Sequence, residues 1–423
     1  MSRPLFPNRE APFFGSDGKL LLMHMEMSGV DPMLLPRLLV FSHVVPESRY
    51  AGSLVLMRLL KDYPVEKLLV LGSQPDPRSN ILACRYEPLT NAVLARAYRS
   101  RFARLARSVA VFGLGSEIVF DEKGPLVRDF QPQVVLTVMQ ESQFYRAACR
   151  YCVRNELPLI LLVHDLAESF EPVYSWAVQR QRQLNTEVYR AAAERLCISP
   201  AMALRLRQTY GAEGSIQYPN RDEELVPRPL AMNESLRTEG RLTIGYAGSL
   251  SYGYLYAIQE ILPALRRAGV SLRVYSSQIT DLGEGVTYAG FSSSPLETWE
   301  RIKAECDAVL MPYSWLKEFQ ALYETHFPSK LPEYLALGMP LFIVGPSYAA
   351  GVAWGLAHPG AAVTVNVQSE AEIVAACLRL RDGSALRTAL SREAVNLGQN
   401  EFDPGTIRQS FLQTIVNASS ISD

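Results

Sequence analysis

Residues 327–345 read FPSKLPEYLALGMPLFIVG, and this stretch decides the fold. A loop with a proline enters a short helical run, Gly338 and Pro340 stop it, and a wholly apolar strand follows. Read for ligands, Pro328 and Ser329 suit a helix start, where free amides and the dipole attract an anion. Lys330 adds a full positive charge there, and Glu333 lies one turn further on. A diphosphate held by amides and a lysine, beside a carboxylate for ribose hydroxyls, fits this spacing. A capped helix with a solvated lysine and glutamate fits it equally well.

Outward from this segment the same helix–strand rhythm recurs. Toward the C-terminus the next strand expected is Ala362–Val365, and toward the N-terminus Ala308–Met311, Leu272–Tyr275 and Leu242–Tyr246. A charged stretch with Pro227 and Pro229 then interrupts the pattern and reads as a linker. Before it come Ser215–Gln217, Arg195–Ile198, Leu159–Val163, Val134–Val138, Lys67–Leu71 and Leu38–Phe41. Most of these runs are continuously apolar, as expected of parallel strands buried on both faces. The expected organisation is α/β: an N-terminal extension (1–35), a Rossmann-like domain (36–220), a linker (221–240), a second Rossmann-like domain (241–400), and a C-terminal helix and tail (401–423). The helix, within Asp403–Val416, has Ile407, Phe411, Leu412 and Ile415 at helical spacing. Ligands of such sheets bind outside the carboxyl ends of the strands, so a cleft between the domains is the default site.

Composition sets bounds on function. The 423 residues are 48% hydrophobic and 20% charged with a formal net charge of −1, enough apolar material for two cores. A charge near zero argues against nucleic acid as the main partner. The six scattered cysteines read as reduced thiols in a cytoplasmic protein. Cys149 and Cys152 form a CxxC, but they fall on a helical pattern from Glu141 to Asn155 without further ligands, so no metal site is expected. The apolar piece Leu20–Met27 is broken by His24 and Glu26 and does not read as a signal peptide. No apolar run is long enough to span a bilayer. The GxG of VAVFGLGSEI (109–118) lacks the third glycine of a dinucleotide fingerprint. No Asp-x-Asp, GxSxG or HExxH occurs, which disfavours metal-dependent sugar transfer and two hydrolase classes.

The 327–340 segment resembles the donor-binding loop and helix of retaining GT-B glycosyltransferases of family 4. Other stretches resemble that family in the same order: VVPESRYAGS (44–53), LPLILLVHD (157–165), ERLCISPAMALRLRQTYG (194–211), YPNRD (218–222), LTIGYAGSL (242–250) and DAVLMPY (307–313). Together they cover most of the chain from about residue 36. The resemblance implies two facing Rossmann-like domains with a C-terminal helix, and sugar transfer from a nucleotide-sugar without metal or other cofactor. UDP is expected from family frequency, and a saccharide or lipid-linked acceptor in polysaccharide or glycolipid assembly.

It also implies roles. His164 would contact the donor sugar near the reacting carbon, with Lys330 and Glu333 completing the catalytic set. Gly248, Ser249, Tyr313, Phe327, Pro328 and Ser329 would face the donor, with the base near Gly290 and Phe291. Arg49, Gly52 and Asp165 would lie on the acceptor side. Two departures stand out. The family's paired-glutamate motif would put its first glutamate at position 325, which is Thr325, with Glu324 one place off. The turn after Tyr246 lacks the usual Arg and Lys, which leaves Lys330 as the main charge on the phosphates, helped by Arg49 or Lys317. A GT-B nucleotide-sugar epimerase is the alternative enzyme; it needs an acid–base cluster, and none is evident in sequence beside His164. A degenerate GT-B binding protein without turnover is the non-enzymatic alternative. Last, LARAYRSRFARLARSV (94–109) reads as one basic amphipathic helix: Arg96, Arg99, Arg104 and Arg107 on one side, Leu94, Tyr98, Phe102, Leu105 and Val109 on the other. Such a helix suits contact with the inner face of a membrane, or simply packing on the first sheet.

Overall fold

The computed structural model describes residues 30–420 other than 49, 90–95, 114–117, 119, 230–240, 279 and 293. Two parallel sheets form, one per domain. The first has seven strands in the order β3-β2-β1-β4-β5-β6-β7: β1 Leu38–Ser42, β2 Leu68–Gly72, β3 Arg85–Pro88, β4 Val134–Val138, β5 Leu159–Val163, β6 Glu194–Cys197 and β7 Ser215–Ile216. The second has six in the order β10-β9-β8-β11-β12-β13: β8 Thr243–Ala247, β9 Ser271–Tyr275, β10 Val286–Tyr288, β11 Ala308–Pro312, β12 Leu341–Val344 and β13 Ala362–Val365. Every residue of β1, β2, β4, β5, β8, β11 and β12 is buried, because helices cover both faces. Leu38 pairs with Leu68 on one side and Val134 on the other, which makes β1/β4 the point where strand order reverses. In the second sheet Ile244 lies between Leu272 and Ala308, so β8/β11 plays the same part.

Two strands are additional to those expected. Arg85–Pro88 and Val286–Tyr288 are short, partly exposed edge strands, and their polar residues hide the apolar signature on which the sequence reading relies. The 94–109 stretch is not one helix. Its described part is a helical turn at 96–98, a break, and then the helix Ala103–Ala110. Ser100 causes the break: its hydroxyl donates to the Ala97 carbonyl (2.7 Å) and accepts the Phe102 amide (3.1 Å), competing with the helical ladder. Phe102 and Leu105 are exposed rather than packed on the sheet.

The last helix, Pro404–Ser419, is capped by Asp403, which accepts the Thr406 amide at 2.8 Å. It returns to the first domain, where the Gln217 and Asn220 side chains donate to the carbonyls of Ile407 (3.3 Å) and Pro404 (3.2 Å). Arg221, where the linker was expected to begin, is buried and donates to the Leu225 (2.6 Å) and Gly398 (3.3 Å) carbonyls. The domains also meet through Arg58 of the helix Ala51–Leu60, whose Nη1 lies 2.8 Å from Glu333 Oε1 and 2.8 Å from the Asn220 carbonyl.

Candidate active site in the interdomain cleft

The carboxyl ends of β1, β4 and β5 open onto a cleft of about 940 Å³, faced by the turn after β8. His43 follows β1, Glu141 follows β4, and His164 and Asp165 follow β5. His326 enters from the second domain, with Ser249, Tyr252 and Tyr254. Three of the chain's five histidines therefore line one cavity.

His164 is 8% exposed and its Nε2 is buried without a hydrogen-bond partner. Burial pushes its imidazole down to about 4 against the pull of Asp165, so the ring is neutral near pH 7. The helix Ala51–Leu60 begins beside it, and a Cβ on Gly52 would sit 3.5 Å from His164 Nδ1. His326 Nδ1 lies 3.2 Å from Asp165 Oδ1, across the domain boundary. Burial opposes ionisation of Asp165, but the hydrogen bond and charge of His326 outweigh it and hold the carboxyl below its usual range. His43 Nε2 forms a second pair with Glu141 Oε1 at 3.2 Å.

Lys330 is the other focus. The helix in its segment runs only from Leu331 to Ala336, starting later than the sequence suggests, because Pro332 belongs in a first turn. Lys330 is the cap residue. Its ammonium lies 3.4 Å from the Tyr246 hydroxyl and over the Tyr246 and Tyr254 rings, 4.5 and 5.1 Å from their centroids. It sits against Gly248, where a Cβ would overlap it and where φ is +131°, so the turn needs glycine twice over. Burial pushes the ammonium down to about 7, with Glu333 pulling the other way. Several turn amides are engaged: Gly248 N donates to the Tyr275 carbonyl (2.9 Å), Leu250 N to Gln278 (2.7 Å) and Ser251 N to the Ser249 hydroxyl (3.0 Å). An anion at this turn would therefore rely chiefly on Lys330.

The remaining expected residues are placed as follows. Glu333 is buried, bonded to Arg58 through Oε1, with Oε2 unpartnered, and it is not part of the cleft lining. Thr325 is buried with its carbonyl 3.4 Å from the Ser199 hydroxyl, while the neighbouring His326, not Glu324, faces the cleft. Phe327 packs between Tyr218 (5.3 Å) and Phe402 (6.3 Å) at the domain junction, and Pro328 is buried while Ser329 is half-buried. Tyr313 is buried edge-on to Tyr323 at 5.2 Å, behind Tyr254. Gly290, at φ +67°, and the exposed Phe291 follow β10. Lys317 is exposed, and Arg49 lies outside the described residues. Among the described residues no group of three or more His, Cys, Asp or Glu could hold a metal ion. Cys149 and Cys152 are buried on the helix Ser142–Asn155.

Sequence reasoning missed His43, Glu141 and His326. The first two stand directly after β1 and near the end of β4, flanking the strand reversal, and that position is the signal that would have found them. The expectation of no acid–base cluster beside His164 is corrected: Asp165 and His326 are there, the latter from 161 residues further on in sequence.

No protein-family model matches the chain, and no curated protein matches it. Solved structures do. HepE from Anabaena, in complex with UDP and glucose, is similar with a TM-score of 0.59 over 90% of this chain and 99% of that one, at 14% identity. Sucrose-phosphate synthase from Thermosynechococcus elongatus gives 0.61 at 13% identity, covering 89% and 97% of the two chains. The UDP-forming α,α-trehalose-phosphate synthase of Burkholderia vietnamiensis gives 0.59 at 12% identity, covering 90% and 98%. Likeness at such low identity speaks to architecture, and with the two sheets and their shared cleft it places this chain in the GT-B fold.

Proposed function

We propose that the chain is a metal-independent glycosyltransferase. It moves a sugar from a nucleotide-sugar, a UDP-sugar by analogy with HepE, to a saccharide or lipid-linked acceptor, with retention, in polysaccharide or glycolipid assembly. One observation carries the reading. Lys330 is a partly buried ammonium that makes no salt bridge among the described residues, set at the Gly248 turn where the second sheet's strand order reverses and over the ring of the cleft-lining Tyr254, and His164 lines the same cleft with a bare Nε2. In this reading the donor diphosphate meets Lys330 and Ser249, a ribose hydroxyl bonds Glu333 once its buried Oε2 is uncovered, and the base lies toward Gly290 and Phe291. His164, neutral and hydrogen-bonding through Nε2, holds the sugar near the reacting carbon. The leaving diphosphate, its charge met by Lys330, accepts the acceptor proton. A thermal-shift panel of UDP-, GDP- and ADP-sugars tests the donor assignment: one series should raise the melting temperature in proportion to ligand, and no shift with any of them would sink it.

Acid–base chemistry on the donor is the second reading, favoured by the Asp165–His326 pair beside His164. An epimerase would convert a UDP-sugar to its epimer without an acceptor, which proton NMR of the nucleotide-sugar pool distinguishes from transfer.

We also propose that the enzyme is cytoplasmic and works against the inner face of a membrane. Phe102, Leu105, Phe112 and Trp176 are all exposed, with Phe112 stacked on Trp176 at 5.8 Å, Arg101 over the Phe102 ring (4.8 Å) and Arg104 over the Tyr174 ring (4.7 Å). Exposed aromatic side chains with arginines over their rings suit an anionic interface. No helix among the described residues is long and apolar enough to cross a membrane.

A further inference from the structure

Not all the arginines of the 96–107 stretch face outward. Arg99 and Arg107 line the first-domain wall of the cleft together with Tyr98. The Arg107 guanidinium lies over the Tyr98 ring at 5.2 Å, and its Nε is buried without a hydrogen-bond partner. Arg146 is only 6% exposed, with Nε and Nη2 both unpartnered. Glu171, Arg107, Arg146 and Glu141 all act on the Tyr98 hydroxyl, so two guanidiniums and two carboxylates lie around one spot, with Arg146 behind the residues that line the cleft.

The acidic groups nearby do not satisfy these guanidinium hydrogens. Glu141 is bonded to His43 (3.2 Å) and accepts from Gln143 (2.7 Å). Glu171 accepts the Ser142 amide (3.0 Å), and burial pushes its carboxyl up to about 7, so much of its charge is suppressed near neutrality. Buried guanidinium N–H groups without acceptors are costly, and the geometry is relieved when an anion arrives. A guanidinium fork matches a tetrahedral oxyanion, and the three guanidiniums of Arg99, Arg107 and Arg146 exceed what the two carboxylates Glu141 and Glu171 would neutralise.

We propose that Arg107, with Arg99 and Arg146, forms an anion subsite in the acceptor half of the cleft that binds a phosphoryl group. Calling that group part of the acceptor rests on the transferase reading; the subsite does not. The phosphoryl group can belong to a water-soluble sugar phosphate or to a lipid phosphate, and the two sources are separable. Calorimetry on the full chain, with UDP present, uses hexose 6-phosphates against the parent hexoses in one arm. Monomeric dihexanoyl phosphatidate against dihexanoyl glycerol forms the other. Binding in either arm at least tenfold tighter than its phosphate-free control is expected, with a tenfold or greater loss in Arg107→Gln and a smaller loss in Arg107→Lys. Arg207→Gln, an exposed arginine outside the cleft lining, should leave it unchanged. Equal affinity with and without the phosphoryl group in both arms overturns the proposal, as does unchanged binding in Arg107→Gln. The melting temperature and UDP affinity of each variant are measured in parallel. If UDP fails to bind the wild-type chain, the donor assignment falls, while the phosphoryl comparison without UDP still decides the subsite.

Discussion

At the residue scale, the chemistry rests on side chains whose protonation the fold has moved. Partial burial against the Tyr246 and Tyr254 rings pushes the Lys330 ammonium down to about 7. A bound diphosphate favours the charged form and raises that value, so nucleotide binding above about pH 7 must take up a proton, and affinity should fall as pH rises. Calorimetry of UDP at pH 8 in buffers of different ionisation enthalpy should show uptake in the wild type and none in Lys330→Ala. That variant should also lose about 1.5–3 kcal/mol of binding, as for one charge-assisted hydrogen bond, while its melting temperature holds. Unchanged UDP affinity would remove Lys330 from the donor site. Glu171 behaves in the opposite sense on stability. Its folded pKa of about 7 lies above the ordinary carboxylate value, so the folded state holds the extra proton between about 4.5 and 7, and stability declines as pH rises through that window. Glu171→Gln removes the titration and should be more stable than wild type at pH 8 by on the order of 1–3 kcal/mol, since each tenfold change in proton affinity is worth about 1.4 kcal/mol. Parallel denaturation curves for the two proteins from pH 5 to 8 would contradict this.

At the scale of elements, what the sequence makes legible follows the physics of burial. Strands such as Leu159–Val163 are apolar on both faces, which is the mark of a strand buried at the centre of a parallel sheet. The edge strands Arg85–Pro88 and Val286–Tyr288 face solvent on one margin and carry no such mark. The arginine-rich segment shows the opposite failure. Its periodicity is real, but the Ser100 hydroxyl breaks the helix and the sides are reversed: Arg107, of the basic side, lines the cleft, while Phe102 and Leu105, of the apolar side, face solvent. This division separates two kinds of binding. Replacing Phe102, Leu105 and Trp176 by serine should abolish flotation with phosphatidylglycerol vesicles while leaving UDP affinity intact. Equal recovery of wild type and triple variant with these vesicles would show that the exposed patch is not a membrane face.

For the whole molecule, the decisive contacts join residues far apart in the chain. Arg58 and Glu333 are separated by 275 positions, and no local pattern could have shown that the glutamate meets an arginine of the other domain. The side chains are 12% and 6% exposed, and breaking such a buried pair from one side costs about 3–5 kcal/mol. Glu333→Gln should therefore lower the melting temperature as well as weaken donor binding, and donor affinity lost without any loss of stability would show that the pair does not join the domains. His326 became visible for the same reason: only the approach of the two domains brings it to Asp165. The central claim is that this assembled cleft turns over a nucleotide-sugar with His164 at the reacting carbon, and the most direct measurement is UDP release from a UDP-sugar by wild type and His164→Ala. A group that acts chiefly in the transition state should lower kcat by about 100-fold or more, with donor affinity within about threefold of wild type. Unchanged kcat in His164→Ala, or no UDP release by the wild type from any UDP-sugar that binds it, would contradict the account.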